Sequence, residues 1–414
     1  MKKNVWILNH YASDTFFDEG GRHYWFAQYL KVKGYEPVVF SANSIHGSGT
    51  YYYDNTSLYT VHNAEKINVP YVFVKARSYD GNGKDRILNM IDFYRYVIKA
   101  TFEYSSESGV KPDIIIASSV HPLTILAGIK IAKKFGIKCI CEIRDLWPES
   151  IVAYGLLKKE SILARVLYSG EKYLYKKSDE IVMTWEGGYE YIEDRGWNNI
   201  IPREKVHHIS NGVNLDSFNM NCEKSRFMLS LEDGKKYFVY TGSIRKVNNV
   251  GLLVEAARYL KEMHSEAIIL IFGDGDEKNC LEKRVCDLAL DNIVFMGRVK
   301  KEEIPSILKQ CYASILHNTS TSLDKYGQSQ NKFFEYLAAE RPILMTYSVG
   351  YSIVEKERCG IELKTQSAYK IAEAINEMCV LPLETYDMFC RNTAHLSHRY
   401  DFKSLTQELM SIIE

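Results

Sequence analysis

At 414 residues the chain is long enough for two or three domains, each with its own core. Lys plus Arg and Asp plus Glu both number 52, so the formal charge is zero and the basic excess expected of a nucleic-acid binder is missing. Nine scattered cysteines without a CxxC pair read as buried small hydrophobes in a reducing cytosol, rather than as disulfides or a metal centre.

Met1–His10 is apolar too briefly for a secretory leader, and no apolar run approaches the roughly 20 residues that cross a bilayer. The chain is expected to be cytoplasmic, soluble or peripheral. Short apolar runs then alternate with helical patterns. Strands are predicted at Val5–Leu8, Pro37–Phe40, Tyr71–Val74, Asp113–Ala117, Lys138–Ile143 and Glu180–Met183. Helices fall between them, such as Arg22–Lys33 closed by Gly34 and Pro122–Phe135 closed by Gly136. Ile114-Ile115-Ile116-Ala117 is apolar without alternation, as in a parallel strand covered on both faces.

The rhythm restarts at Tyr237–Gly242, followed by a helix at Gly251–Lys261 and strands at Ala267–Phe272, Ile293–Met296, Ala313–Leu316 and Pro342–Met345. A mostly helical tail, Leu383–Glu414, closes the chain. Two βαβ series predict two doubly wound domains, with the boundary near Val206–Phe218, where Asn211-Gly212-Val213-Asn214 supplies turn chemistry. Ligands of such sheets gather beyond the carboxyl ends of the strands, so a cleft between two facing sheets is the expected site.

The loop after the first strand ends in Gly20-Gly21 before a helix. Glycine there permits close backbone approach, and the helix N-terminus offers N–H groups to a phosphate; an ordinary βα turn is the alternative. Strand Lys138–Ile143 runs into Arg144-Asp145-Leu146-Trp147-Pro148-Glu149. An ionised Asp145 can stabilise developing positive charge or take a proton from an acceptor hydroxyl, unless an Arg–Asp ion pair merely fixes the loop. His121, after strand Asp113–Ala117, would enter the same cleft, or begin a helix at the surface.

In the second series, Gly242-Ser243-Ile244-Arg245-Lys246 brings two adjacent cations suited to a departing diphosphate, or to solvent. Lys332 and Glu335 lie three apart and share a helix face. The carboxylate can accept from both hydroxyls of a ribose while the lysine supports phosphate; an exposed surface pair is the alternative. Gly273-Asp274-Gly275-Asp276 holds an Asp-x-Asp, read as a glycine-flanked turn rather than a metal site.

Taken in order, these segments resemble the family 4 glycosyltransferases of bacterial surface-polysaccharide synthesis over nearly the whole chain. The most specific matches are Arg144–Glu149 and the block Lys332–Ala339 ending at Arg341-Pro342, supported by Asn211–Asn214 and Gly242-Ser243-Ile244. The subgroup marked by Arg-Asp-Leu-Trp-Pro is similar to the N-acetylfucosamine transferases of O-antigen and capsule assembly. The resemblance implies a GT-B fold: α/β, two doubly wound Rossmann-like domains facing a cleft. Residues 1–205 would form the acceptor side and 206–384 the nucleotide-sugar side, with a C-terminal helix at about 385–414 packing back on the first.

It also implies retention of configuration, no metal and no cofactor. The co-substrate would be a nucleotide-sugar, expected as a UDP-linked N-acetylated deoxyhexose, and the acceptor a polyprenyl-diphosphate-linked saccharide. By motif, Glu335 would bind ribose; Lys332, Arg245 and Lys246 the diphosphate; and Gly20, Gly21, Gly242 and Gly273 would line the donor. Asp145, with His121 and Arg144, would lie near the reacting sugar and acceptor. The chain departs from the family at Ser243 and Asn248, where Arg and Lys are usual. Gly327 replaces the first glutamate of a pair, and Arg144 a frequent histidine.

Two other functions stay open: a sugar-nucleotide epimerase on a similar scaffold, and a silent scaffold subunit of a polysaccharide complex. A nicotinamide dehydrogenase is disfavoured, because no strand leads into a complete GxGxxG. Lys84–Phe102 and Leu157–Lys177 each combine apolar and basic residues. Either can be an interfacial helix on an anionic membrane surface, at the inner face of the cell membrane, or a core-facing helix with a solvated back.

Overall fold

The structure is a computed structural model, and it describes residues 2–81, 83–119 and 121–414. Chain contacts divide it into Met1–Ser210 with Phe402–Glu414, and Asn211–Asp401.

The first unit holds β1 (Asn4–Leu8), β2 (Glu36–Ala42), β3 (Tyr59–Ala64), β4 (Val69–Val74), β5 (Ile114–Ser118), β6 (Lys138–Ile143), β7 (Glu180–Met183) and β8 (Val206–His208). They form one sheet in the order β3-β4-β2-β1-β5-β6-β7-β8. Every neighbouring pair is parallel except β3 with β4. In register, Ile7 faces Ile116 and Ile116 faces Ile140, so the apolar runs of β1, β5 and β6 meet at the sheet centre. Strand β3 escaped the sequence reading because it is a half-exposed edge strand that carries Tyr59, Thr60, His62 and Asn63 rather than an apolar run.

The second unit holds β9 (Lys236–Thr241), β10 (Ala267–Phe272), β11 (Ile293–Gly297), β12 (Ala313–Leu316), β13 (Ile343–Met345) and β14 (Gly360–Glu362), in the order β11-β10-β9-β12-β13-β14. All of its pairs are parallel. Successive residues of β9 enter opposite cores: Tyr237 and Val239 join Phe333 and Leu337, while Phe238 and Tyr240 join Leu253 and Ile375. A strand covered on both faces needs apolar residues at every position. Both units therefore have the α/β, Rossmann-like build of the GT-B class.

Two boundaries shift from expectation. The first unit runs to Ser210, five residues past 205, because Arg22 donates to the Ile209 and Ser210 carbonyls and Ile209 N donates to Met183 O. The tail divides. Helix Leu383–Arg399 belongs to the second unit, where Leu396 and Tyr400 enter the core and Tyr400 lies 5.2 Å from the Phe334 ring. Only helix Phe402–Ile413 joins the first unit, with Phe402 edge-on to Phe26 at 5.4 Å. No helix among the described residues is long and apolar enough to cross a membrane.

Candidate functional site

In the second unit, β9 and β10 each end on a glycine of positive φ, Gly242 at 151° and Gly273 at 150°. A Cβ on Gly273 would lie 1.8 Å from the Gly242 carbonyl oxygen, so no side chain fits between these loops. A Cβ on Gly242 would lie 3.1 Å from Lys332 Nζ, so the bare backbone is what lets the ammonium approach the end of β9. Lys332 is carried on helix Asn331–Ala338, which forms because Phe333, Phe334 and Leu337 recur on one buried face. Its Nζ stands 4.3 Å from the Tyr240 ring centre and 3.5 Å from the His317 carbonyl oxygen. Burial pushes its pKa down to about 8, against the pull of Glu335. Glu335 is half-buried. Burial raises its carboxyl pKa, and Lys301 and Lys332 act against that. No ion pair closes between Lys332 and Glu335, so the exposed-pair alternative does not describe them.

Thr241, Gly242, Ser243, Phe272, Gly273, Asp274, Arg298, Val299 and Ile304 line a pocket of about 280 Å³. Arg245 and Lys246 do not line it; both are exposed on the adjoining turn. Among the described residues, the side chains of Arg245, Lys246 and Arg298 make no hydrogen bond or ion pair. Ser243 and Asn248, the positions that depart from the family, bond to each other: Ser243 Oγ–H donates to Asn248 Oδ1 at 2.8 Å. Asp274 accepts from Gly275 N at 2.9 Å, a turn contact. His317 is neutral, its pKa lowered to about 4 by burial. A carbonyl can only accept, so Nε2–H donates to Asn249 O (2.9 Å), and Nδ1 accepts from the Thr346 hydroxyl (2.6 Å). That ties β12's end to the loop that carries Arg245.

In the first unit, Glu142 lies buried at the end of β6 and accepts from Arg22 Nε (2.7 Å), His23 Nε2 (2.9 Å) and Ser118 Oγ (2.7 Å). Burial works against the carboxylate, but Arg22 and His23 together hold its pKa well below the usual range. Burial keeps His23 neutral, so Nε2–H donates to Glu142 and Nδ1 accepts from Asn9 Nδ2 at 2.8 Å. Gly21, at φ 100°, precedes the helix that presents Arg22 and His23; Gly20 packs against Trp25.

His121 and Asp145 come together with Trp147, Glu171 and Tyr175 around a small cavity. His121 Nε2 meets His10 Nδ1 at 2.7 Å, and among the described residues His121 Nδ1 is buried without a partner. Burial, then the nearby Arg86, lowers the His121 pKa to about 3, so it is neutral. Protein packed around Asp145 raises its carboxyl pKa, against Arg144. Its side chain is nevertheless exposed, and water that touches a carboxylate keeps it ionisable at neutral pH. No Arg144–Asp145 ion pair forms. Instead Arg144 N donates to Ser119 Oγ at 3.1 Å, and Tyr168 Oη donates to Glu149 at 2.6 Å. Glu171 accepts from Tyr175 and Tyr191 at 2.8 and 2.7 Å, and burial raises its pKa to about 8.

The sequence reading passed over Arg298, His10 and the Arg22–Glu142 pair. For Arg298 a signal existed: Gly297, at φ 74°, ends β11 as Gly242 and Gly273 follow β9 and β10. Among the described residues, no group of three His, Cys, Asp or Glu is placed to hold a metal ion.

Residues 24–217 match the family model Glycosyltransferase Family 4, and residues 221–395 match Glycosyl transferases group 1. The chain is 22% identical over 285 residues to WbjE of Pseudomonas aeruginosa, named a probable glycosyltransferase, covering 66% of this chain and 67% of that protein. It is 24% identical over 221 residues to WcaI of Escherichia coli (strain K12), named as a colanic acid biosynthesis glycosyl transferase. That match covers 52% of this chain, which thus spans about half of that relative's length (53%). The crystal structure of Anabaena HepE in complex with UDP and glucose superposes with a TM-score of 0.65 at 12% identity, covering 99% of each chain.

Proposed function

We infer that this chain, which belongs to the GT-B glycosyltransferases of family 4, moves a sugar from a nucleotide-diphospho-sugar to a lipid-linked saccharide with retention of configuration. UDP is the favoured carrier, in line with the UDP held by the HepE fold, and an N-acetylated deoxyhexose the favoured sugar. The acceptor is a polyprenyl-diphosphate saccharide of surface polysaccharide synthesis, in line with the naming of WcaI.

The observation that carries this reading is the glycine-lined strand end of the second unit, with Lys332 above it and the unpaired cations Arg298 and Arg245 nearby. A diphosphate needs close backbone approach and positive charge that nothing else has claimed. Lys332 and Arg245 hold the charge of the leaving nucleoside diphosphate, and Glu335 accepts from the ribose. The acceptor hydroxyl attacks from the face the diphosphate leaves, and its proton passes to the leaving phosphate. Asp145, in the first unit, orients the sugar or acceptor. Protein cations carry the work a metal would otherwise do.

The test is thermal shift of the purified protein against UDP-, GDP-, ADP- and dTDP-sugars, then turnover of the best donor with and without a chelator. Lys332→Ala and Arg245→Ala should each lower turnover roughly 10²-fold, as the loss of one oxyanion donor does. Unchanged turnover in both variants would overturn the assignment.

A further inference from the structure

Of the two basic, apolar segments, the structure turns one inward. Helix Lys84–Ser108 buries Met90, Phe93 and Val97, leaving Ile87 as its exposed large apolar residue. Helix Ile162–Lys177 differs. Its core face is complete, with Ala164, Tyr168, Glu171 and Tyr175 buried. Yet a second apolar stripe points outward: Ile162 is 82% exposed, Val166 61% and Tyr173 51%. Spacings of four and seven place these three on one face, opposite the core face. Leu163 (58%) stands beside the stripe on the helix, and Leu156 (80%) is exposed in the turn that leads into it.

An apolar stripe on the solvent side has no folding benefit, and contiguous exposed patches of this kind mark a surface that something covers. Charge identifies the cover. Lys158, Lys159, Arg165, Lys176 and Lys177 are exposed around the stripe, and among the described residues none of them is in an ion pair. Other surface cations do form ion pairs, such as Arg258 with Glu255 and Glu262, Lys370 with Glu373 and Lys278 with Glu282. Unpaired cations flanking exposed Ile, Leu and Val fit a plane that is anionic outside and hydrocarbon beneath.

We propose that residues 156–177 dock the first unit on an anionic lipid bilayer, with Leu156, Ile162, Leu163 and Val166 entering the acyl boundary and the five cations meeting lipid headgroups. The proposal extends the function above, since a lipid-linked acceptor is presented at such a surface.

The experiment is flotation of the full chain with vesicles of phosphatidylcholine alone or mixed with phosphatidylglycerol. Light scattering and transfer to a water-soluble acceptor analogue are measured alongside. The wild type should float with the anionic vesicles, and salt should weaken it. Lys158→Glu with Lys159→Glu should lower partitioning about fivefold per residue, from about 1 kcal/mol each. Ile162→Gln with Val166→Gln should abolish flotation and leave soluble transfer intact. Equal flotation with neutral vesicles, no flotation, or a dimer that Ile162→Gln dissolves would each overturn the proposal. Soluble transfer without flotation defeats the docking alone, whereas flotation without transfer by any donor defeats the enzymatic reading alone.

Discussion

The polar groups at the strand ends of the two units are used in opposite ways. In the first unit the charged groups around β6 are spent on one another: Arg22, His23 and Ser118 satisfy Glu142, although His121, which meets His10, keeps one ring nitrogen without a partner among the described residues. In the second, Arg245 and Arg298 are left unpaired among the described residues, and the backbone beside Lys332 is stripped to glycine. A closed network fixes a shape. Open cations await a charge, which is why the donor is assigned to the second unit.

The contrast is broken most severely from the first side. Glu142→Gln removes the carboxylate that Arg22 Nε and His23 Nε2 share in the buried interior and should cost about 3–5 kcal/mol in urea unfolding. Arg22→Met with Glu142→Leu should regain only part of that loss, since it removes the buried charges but leaves His23, Ser118 and the Ile209 and Ser210 carbonyls without these partners. Next comes Gly273→Ala. Its methyl meets the Gly242 carbonyl, so the two loops must part, at about 1–3 kcal/mol and with at least about tenfold weaker UDP binding by calorimetry. The same change at Gly34, where a Cβ meets nothing within 4 Å, separates conformational strain from the clash.

The smallest effect sharpens the comparison through pH. Lys332 titrates at about 8 when folded and near 10.5 ordinarily, so between those values the unfolded chain binds more protons. Stability contributed by this group therefore rises with pH across that window, while its charge for the donor is lost. UDP affinity should fall about twofold at pH 8 relative to full protonation, and Lys332→Arg should flatten that dependence. A flat wild-type profile would remove Lys332 from the phosphate.

What the sequence disclosed follows from the range of the interactions. Strands β6, β10 and β12 were legible to the residue, because two-sided burial forces largely apolar runs, interrupted here by Glu142 and Ser314. The short β14 and the half-exposed β3 were not, since neither needs such a run. Gly242, Gly273 and Lys332 could be singled out because a glycine after a strand and a lysine at a helix start are local patterns. The Arg22–Glu142 pair joins residues 120 apart, and nothing near either one announces the other. Leu396 and Tyr400 were assigned to the wrong unit for a related reason: a helix's amphipathic pattern says that it packs, not on what.

The bond between Ser243 and Asn248 bears on how this loop could have changed over time. The contact lies in solvent, so water can take the place of either side chain, and exchanging Ser243 or Asn248 alone costs the loop little.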